Sequence, residues 1–161
     1  MSKPYGQACP VARTLELVGE RWTLLVVRDL LAGPRRFQDL RQSLPGVAPT
    51  MLSARLKRME AHGLIRRSFY SDHPPRAAYE LTAKGRELGV VVGALAAWGS
   101  RHVHSGTALV SEDCGHPVQT GYFCPECGTR VRGASVKLGR PARRGAATTR
   151  SAREPARAAL R

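Results

Sequence analysis

No stretch of this chain is apolar for long enough to cross a bilayer. The longest nearly continuous run, Leu88 to Gly99, is about a dozen residues, against the roughly 20 that a spanning helix needs. The first residues, Met1-Ser2-Lys3-Pro4-Tyr5-Gly6, lack the apolar core of an export signal. The expectation is a cytoplasmic protein without a membrane partner. Cysteine is scarce, four in 161 residues, and in a reducing compartment such thiols are read first as metal ligands or reactive groups rather than disulfides. Acidic residues are few as well: 12 Asp and Glu face 26 Lys and Arg, a net charge of +14 that implies a polyanionic partner or a solubilising tail. The tail explains only part of it. Residues 132–161 carry nine basic side chains and one acid, and the remainder is still basic. Catalytic spacing is missing too: Asp39, Glu60, Glu80 and the five histidines form no pattern of nucleophile, base and orienting group, so an enzyme is not expected.

What is present is a series of short helical patterns followed by a hairpin. Pro10 opens a first helix with Leu15, Val18 and Val11 as inward candidates, closed by Gly19. Trp22 to Leu31 is a largely apolar second helix, stopped by Ala32-Gly33-Pro34. Arg36 to Leu44, with Phe37, Leu40 and Leu44 at helical spacing, gives a third helix ending at Pro45-Gly46. Pro49 to His62 forms the fourth. Its Leu52, Leu56 and Met59 share one stripe, while Thr50, Ser53, Ala54 and Lys57 point the other way and Arg58 flanks them. Two helices joined by a short glycine-containing turn form a helix-turn-helix pattern. After Gly63, Ile65 to Tyr70 reads as a strand, 71–76 as a basic, proline-rich tip with His73 and Arg76, and Tyr79 to Leu81 as the return strand. Thr82 caps a long helix to about Val103, whose Leu88, Val91, Val92, Leu95 and Trp98 make a stripe too apolar for a lone surface. A second copy of the chain would bury it; the alternative is that it folds back on the first two helices.

Cys9-Pro10-Val11, Gly19-Glu20-Arg21-Trp22, Leu30 to Phe37, Leu52-Ser53-Ala54-Arg55-Leu56, Glu60 to Arg67, Tyr79 to Gly85 and Trp98 closely resemble the HxlR-type winged-helix transcription regulators, in their order and spacing over about 9–100. The resemblance implies a bacterial homodimeric DNA-binding protein, often a repressor of a neighbouring gene. Its recognition helix would be Pro49 to His62, its wing 71–76, and its dimer contacts Leu15 on the first helix and the long helix after Thr82. Physical reading agrees. Thr50 and Ser53 are short enough to touch base edges, and Lys57 and Arg58 could meet phosphate or guanine. Arg55 has either a phosphate or a structural role, and Arg36 could meet phosphate at the start of the third helix. For each basic residue the plain alternative is a solvated surface charge.

The cysteines raise two further questions. Cys9 falls before Pro10 at an N-cap, where open amides and the helix dipole favour an anionic sulfur. Some members of the family it resembles sense electrophiles or oxidants through a cysteine at this position; the alternative is an inert packing cysteine. Cys114-Gly115-His116 and Cys124-Pro125-Glu126-Cys127-Gly128 look like two knuckles of a zinc ribbon. The second is a regular Cys-x-x-Cys-Gly turn. The first is irregular, with His116 preferred as the fourth Zn²⁺ ligand over Asp113 or His104. Some members similar to this chain end in such a ribbon with a histidine ahead of the first cysteine, and here Ser111 stands in that place. A metal-free turn or a Cys124 to Cys127 disulfide is the competing reading. Thioredoxin-like chemistry is rejected, because no βαβ pattern precedes the motif.

The expected fold is α+β, mainly α: a winged helix-turn-helix and dimerisation domain over 1–104, a linker and zinc-ribbon-like segment over 105–131, and a basic disordered tail over 132–161. The expected function is sequence-specific binding of double-stranded DNA by a homodimeric regulator on an inverted repeat, with a small-molecule or oxidant effector left open. The rivals are a zinc-ribbon adaptor that uses the winged domain as scaffold, and a thiol redox enzyme.

Overall fold

The computed structural model describes residues 4–72, 75–106 and 109–139, with the backbone alone at 70–72, 75, 76 and 134. His73 and the Arg76 side chain therefore lie outside the described residues, as does most of the tail. The chain divides into two compact units between Thr120 and Gly121.

The first unit runs α1 (Pro10–Val18), α2 (Thr23–Leu31), β1 (Arg35–Arg36), α3 (Phe37–Ser43), α4 (Pro49–Ala61), β2 (Ile65–Asp72), β3 (Pro75–Leu81), α5 (Ala83–Arg86) and α6 (Gly89–His102). The central helix is α2. Val26 and Val27 are fully buried and Leu30 nearly so, so burial outweighs the modest helix preference of two adjacent β-branched residues. Around it close Val18 from α1, Leu40 from α3, Leu52, Leu56 and Met59 from α4, Ile65 from β2 and Leu81 from β3. The three α4 residues are those of the sequence stripe. Leu15 and Val11 turn outward, and Ala12 is the residue of the first turn that α1 buries.

The wing is a three-stranded antiparallel sheet in the order β1-β3-β2. Its hairpin strands are longer than the sequence suggests, because Ser71 and Asp72 still pair with Arg76 and Pro75. The third strand was not expected. Arg35 and Arg36, read as loop and helix start, pair instead with Tyr79 and Ala78, and α3 begins one residue later. The Arg36 amide donates to the Asp39 carboxylate at 2.9 Å, which caps α3 at its third residue.

The long helix after Thr82 is a correction. It is two helices, α5 of four residues and α6 of 14, with Glu87 and Leu88 in the turn between them, where Leu88 N–H reaches only to Gly85 O at 3.2 Å. Two glycines, Gly85 and Gly89, flank this break, and glycine favours a helix interior least among residues other than proline. Thr82 does cap α5, accepting from Gly85 N–H at 3.1 Å while its hydroxyl donates to Gly63 O at 2.7 Å.

In the second unit, β4 (Tyr122–Cys124) and β5 (Thr129–Val131) form an antiparallel pair, followed by a 3₁₀ turn at Gly133–Ser135. The first residues of the expected disordered tail thus carry local structure. Residues 140–161 lie outside the described residues. Among the described residues, no helix is long and apolar enough to cross a membrane.

Candidate nucleic-acid interface

The turn between α3 and α4 needs Gly46, whose φ of +86° suits glycine and few others. Pro49 then starts α4 at the position where its missing N–H costs least. At the far end, Gly63 with φ +66° reverses the chain, and Leu64 N–H returns to Met59 O at 2.9 Å. The helix is thus bounded by geometry at both ends and held on one side by Leu52, Leu56 and Met59. Its other side, with Pro49, Thr50, Ser53, Ala54 and Lys57, is exposed. Spacings of three and four residues put these on one surface, and the Lys57 ammonium has no hydrogen-bond or ion-pair partner among the described residues.

The two arginines of α4 are placed differently. Arg55 forms an ion pair with Glu20 and its side chain is only 11% exposed. Burial, with Arg58 beside it, holds its guanidinium below the usual arginine range. Arg58 donates to the same carboxylate at 2.9 Å and to Glu16 O at 2.8 Å. For Arg55 the structure supports the structural alternative over phosphate contact, and Arg58 is engaged as well. Glu20 is the residue that the sequence reading missed. A lone acid between two helices gives no periodic signal, and its partners are 35 and 38 positions away.

The wing carries more positive charge. Arg36 is exposed at its edge. Arg66 pairs with Glu80 at 2.8 Å, and Arg67 lies 3.8 Å from Glu60 and over the Phe69 ring. Arg76 stands on β3 opposite Ser71.

The apolar stripe divides. Leu88 and Val92 pack partly against the core, so their share of the stripe is covered within the chain by α2. Val91, Leu95 and Trp98 remain exposed with Val90, Leu15 and Val11. Trp98 packs at 5.1 Å against His102 one turn on. A groove between α2 and α6, lined by Leu24, Leu25, Val92, Leu95, Ala96 and Arg28, is almost wholly apolar.

Cys9 is the N-cap of α1, in extended conformation with Pro10 following, and is partly buried; its side chain makes no cap hydrogen bond. The remaining cysteines lie on two turns of one form. In the first unit, Gly115 N–H bonds to Ser111 O at 2.8 Å and Gly115 has φ +69°; in the second, Gly128 N–H bonds to Cys124 O at 2.9 Å with φ +64°. Ser111 thus occupies in its turn the place that Cys124 occupies in the other. The Ser111 hydroxyl and the His116 amide hold the Cys114 thiol below its ordinary value. The Cys127 amide and thiol do the same for Cys124, whereas Cys127 is raised by the neighbouring Cys124 sulfur. Among the described residues no three His, Cys, Asp or Glu side chains come together in a group of metal-binding size.

Comparison with known proteins agrees with this geometry. The HxlR-like helix-turn-helix family profile matches residues 17–107. An HTH-type transcriptional regulator of Synechocystis sp. is 41% identical over 95 residues, which are 59% of this chain and 70% of the relative. The crystal structure of PA1607, a candidate transcription factor, superposes with a TM-score of 0.72 at 31% identity, covering 84% of this chain and 97% of that one. The redox regulator HypR in its oxidized form gives a TM-score of 0.56 at 33% identity, over 58% of this chain and 97% of its own. The chain belongs to the HxlR-like helix-turn-helix family and is a DNA-binding transcriptional regulator of that type, not an enzyme.

Proposed function

We propose that the protein is a homodimeric, cytoplasmic repressor that reads an inverted-repeat operator with the exposed face of α4. One observation carries this reading: a helix packed on its apolar side presents short polar side chains, Thr50 and Ser53, beside Ala54 and Lys57, with a basic three-stranded wing alongside. Short side chains let a helix approach base edges, and Lys57 and Arg36 meet phosphates. The dimer forms through the uncovered side of α6, Val91, Leu95 and Trp98, with Leu15 from α1. A two-fold pair of reading helices requires half-sites about 10 base pairs apart, or a multiple of that helical turn.

Two accessory roles belong to the same reading. Cys9 is the sensing thiol for an oxidant or electrophile, a role favoured by its N-cap position and by the likeness to a redox regulator. A structural Zn²⁺ is held at the second unit by the Cys124 and Cys127 thiolates. The donor chemistry fits at this turn, where two thiols three residues apart share a tight turn closed by Gly128 N–H on Cys124 O at 2.9 Å. The ion would supply no chemistry beyond fixing the turn.

Selection of duplexes from a random-sequence pool by the purified protein tests the main reading. Enrichment of an inverted repeat is expected. A direct repeat, a single half-site or no enrichment would overturn it.

A further inference from the structure

The segment joining α1 to α2, Gly19-Glu20-Arg21-Trp22, grips the helix-turn-helix at two points. Its backbone is tightly constrained. A Cβ at Gly19 would lie 2.5 Å from Leu15 O, and Trp22, with φ +79°, is the one described residue other than glycine in the left-handed region. Such a conformation is unfavourable for an aromatic residue and persists where its surroundings enforce it. Two contacts of the segment reach the reading machinery. The Trp22 ring meets the turn before α4, 4.0 Å from where a Gly46 Cβ would be. The Glu20 carboxylate takes the Arg58 guanidinium at 2.9 Å with one oxygen and Arg55 with the other.

Arg55 and Arg58, three residues apart, both project from the flank of α4 beside its reading face. Leu52, Leu56 and Met59 fix how deep the helix lies, but apolar packing tolerates rotation about the helix axis far better than a carboxylate shared between two guanidiniums does. One carboxylate faces two cations, and the Nε atoms of both arginines are buried without a hydrogen-bond partner. Removing the carboxylate charge would leave two half-buried guanidiniums repelling each other, and relief would come from turning the helix flank outward.

We propose that Glu20 is a positioning residue for sequence reading: through Arg55 and Arg58 it sets the rotation of α4, and so which bases Thr50 and Ser53 meet, without touching DNA. Base-edge hydrogen bonds fail beyond roughly 10–20° of misorientation, whereas phosphate attraction is insensitive to such an angle. The inference rests on the proposed DNA reading and concerns what orients it.

The test measures the affinity of full-length protein for two duplexes: one selected by the wild type from a random pool, and a shuffled duplex of the same composition. For Glu20→Gln, the ratio of the two affinities is expected to fall about tenfold or more, with shuffled-duplex affinity, helix content and dimer state unchanged. Reselection with this variant should yield a degraded or altered motif. Glu20→Met with Arg55→Met, which removes the charged pair at similar volume, is expected to fold, and the ratio should also fall; this variant decides the matter if Glu20→Gln does not fold. An unchanged ratio in a folded variant would overturn the proposal. So would equal loss on both duplexes, which marks plain destabilisation. A wild type without any preference would overturn the DNA reading itself and the positioning role with it.

Discussion

Gly85 lies against the Leu64 carbonyl so closely that a Cβ built on it would fall 2.0 Å from the oxygen. The contact joins α5 to the strand end that follows the reading helix, and Thr82 N–H bonds to the same carbonyl at 3.0 Å. Glycine is thus required here by space, not by backbone angle. In an open helix Gly85→Ala would stabilise by about 1 kcal/mol. Here it is expected to destabilise by about 1–3 kcal/mol or more, because backbone must move to make room. Thermal unfolding reads the sign directly, and a raised melting temperature would show that the α5 contact is not as close as described.

The uncovered side of α6 gives a second expectation. Leu95 is 52% exposed and Trp98 54%, so a charge at Leu95 costs the folded monomer little but is incompatible with an apolar dimer seam. Leu95→Glu should sediment as a folded monomer where the wild type sediments as a dimer, and should bind an inverted repeat far more weakly. A dimeric Leu95→Glu would place the interface elsewhere.

Much of this was legible in the sequence. Leu52, Leu56 and Met59 announce the buried side of α4 because a helix repeats every three to four residues. The glycines at 46 and 63 mark its limits because few other residues accept their φ angles. The strand Arg35–Arg36 was not legible: two residues have no periodicity, and their strand character comes from pairing with Tyr79 and Ala78 more than 40 positions on. Nor was the division of the apolar stripe, since Val91 and Val92 look alike in sequence and differ only in whether α2 lies opposite. Arg55, Arg58 and Lys57 are equally basic in sequence. Only the fold, by bringing Glu20 to two of them, separates the anchored charges from the exposed one.

At the second unit, purified full-length protein is expected to contain about one zinc per chain, and Cys124→Ser or Cys127→Ser to lose it, because a closed tetrahedral site fails when one thiolate is removed. Metal analysis after preparation under reducing, chelator-free conditions decides this. Metal-free wild type would leave the Cys-x-x-Cys turn a purely local structure.

Cys9 gives a binding experiment. A thiol oxidant should weaken DNA binding by the wild type and leave Cys9→Ser unaffected, because the helix N-terminus favours reaction at this sulfur. Equal sensitivity in both proteins would exclude Cys9 and turn attention to the thiols of the C-terminal turns.

The central claim is that bases are read by the exposed face of α4, and the effect of Thr50→Ala and Ser53→Ala on operator preference tests it most directly. Each variant should alter discrimination between the selected duplex and its point-substituted versions by about 1 kcal/mol or more per lost base contact, with little change in affinity for unrelated DNA. Deleting 140–161, by contrast, should weaken binding to all sequences alike. Unchanged preference in both helix variants, with preference lost on deleting the tail, would contradict the assignment of α4 as the reading helix.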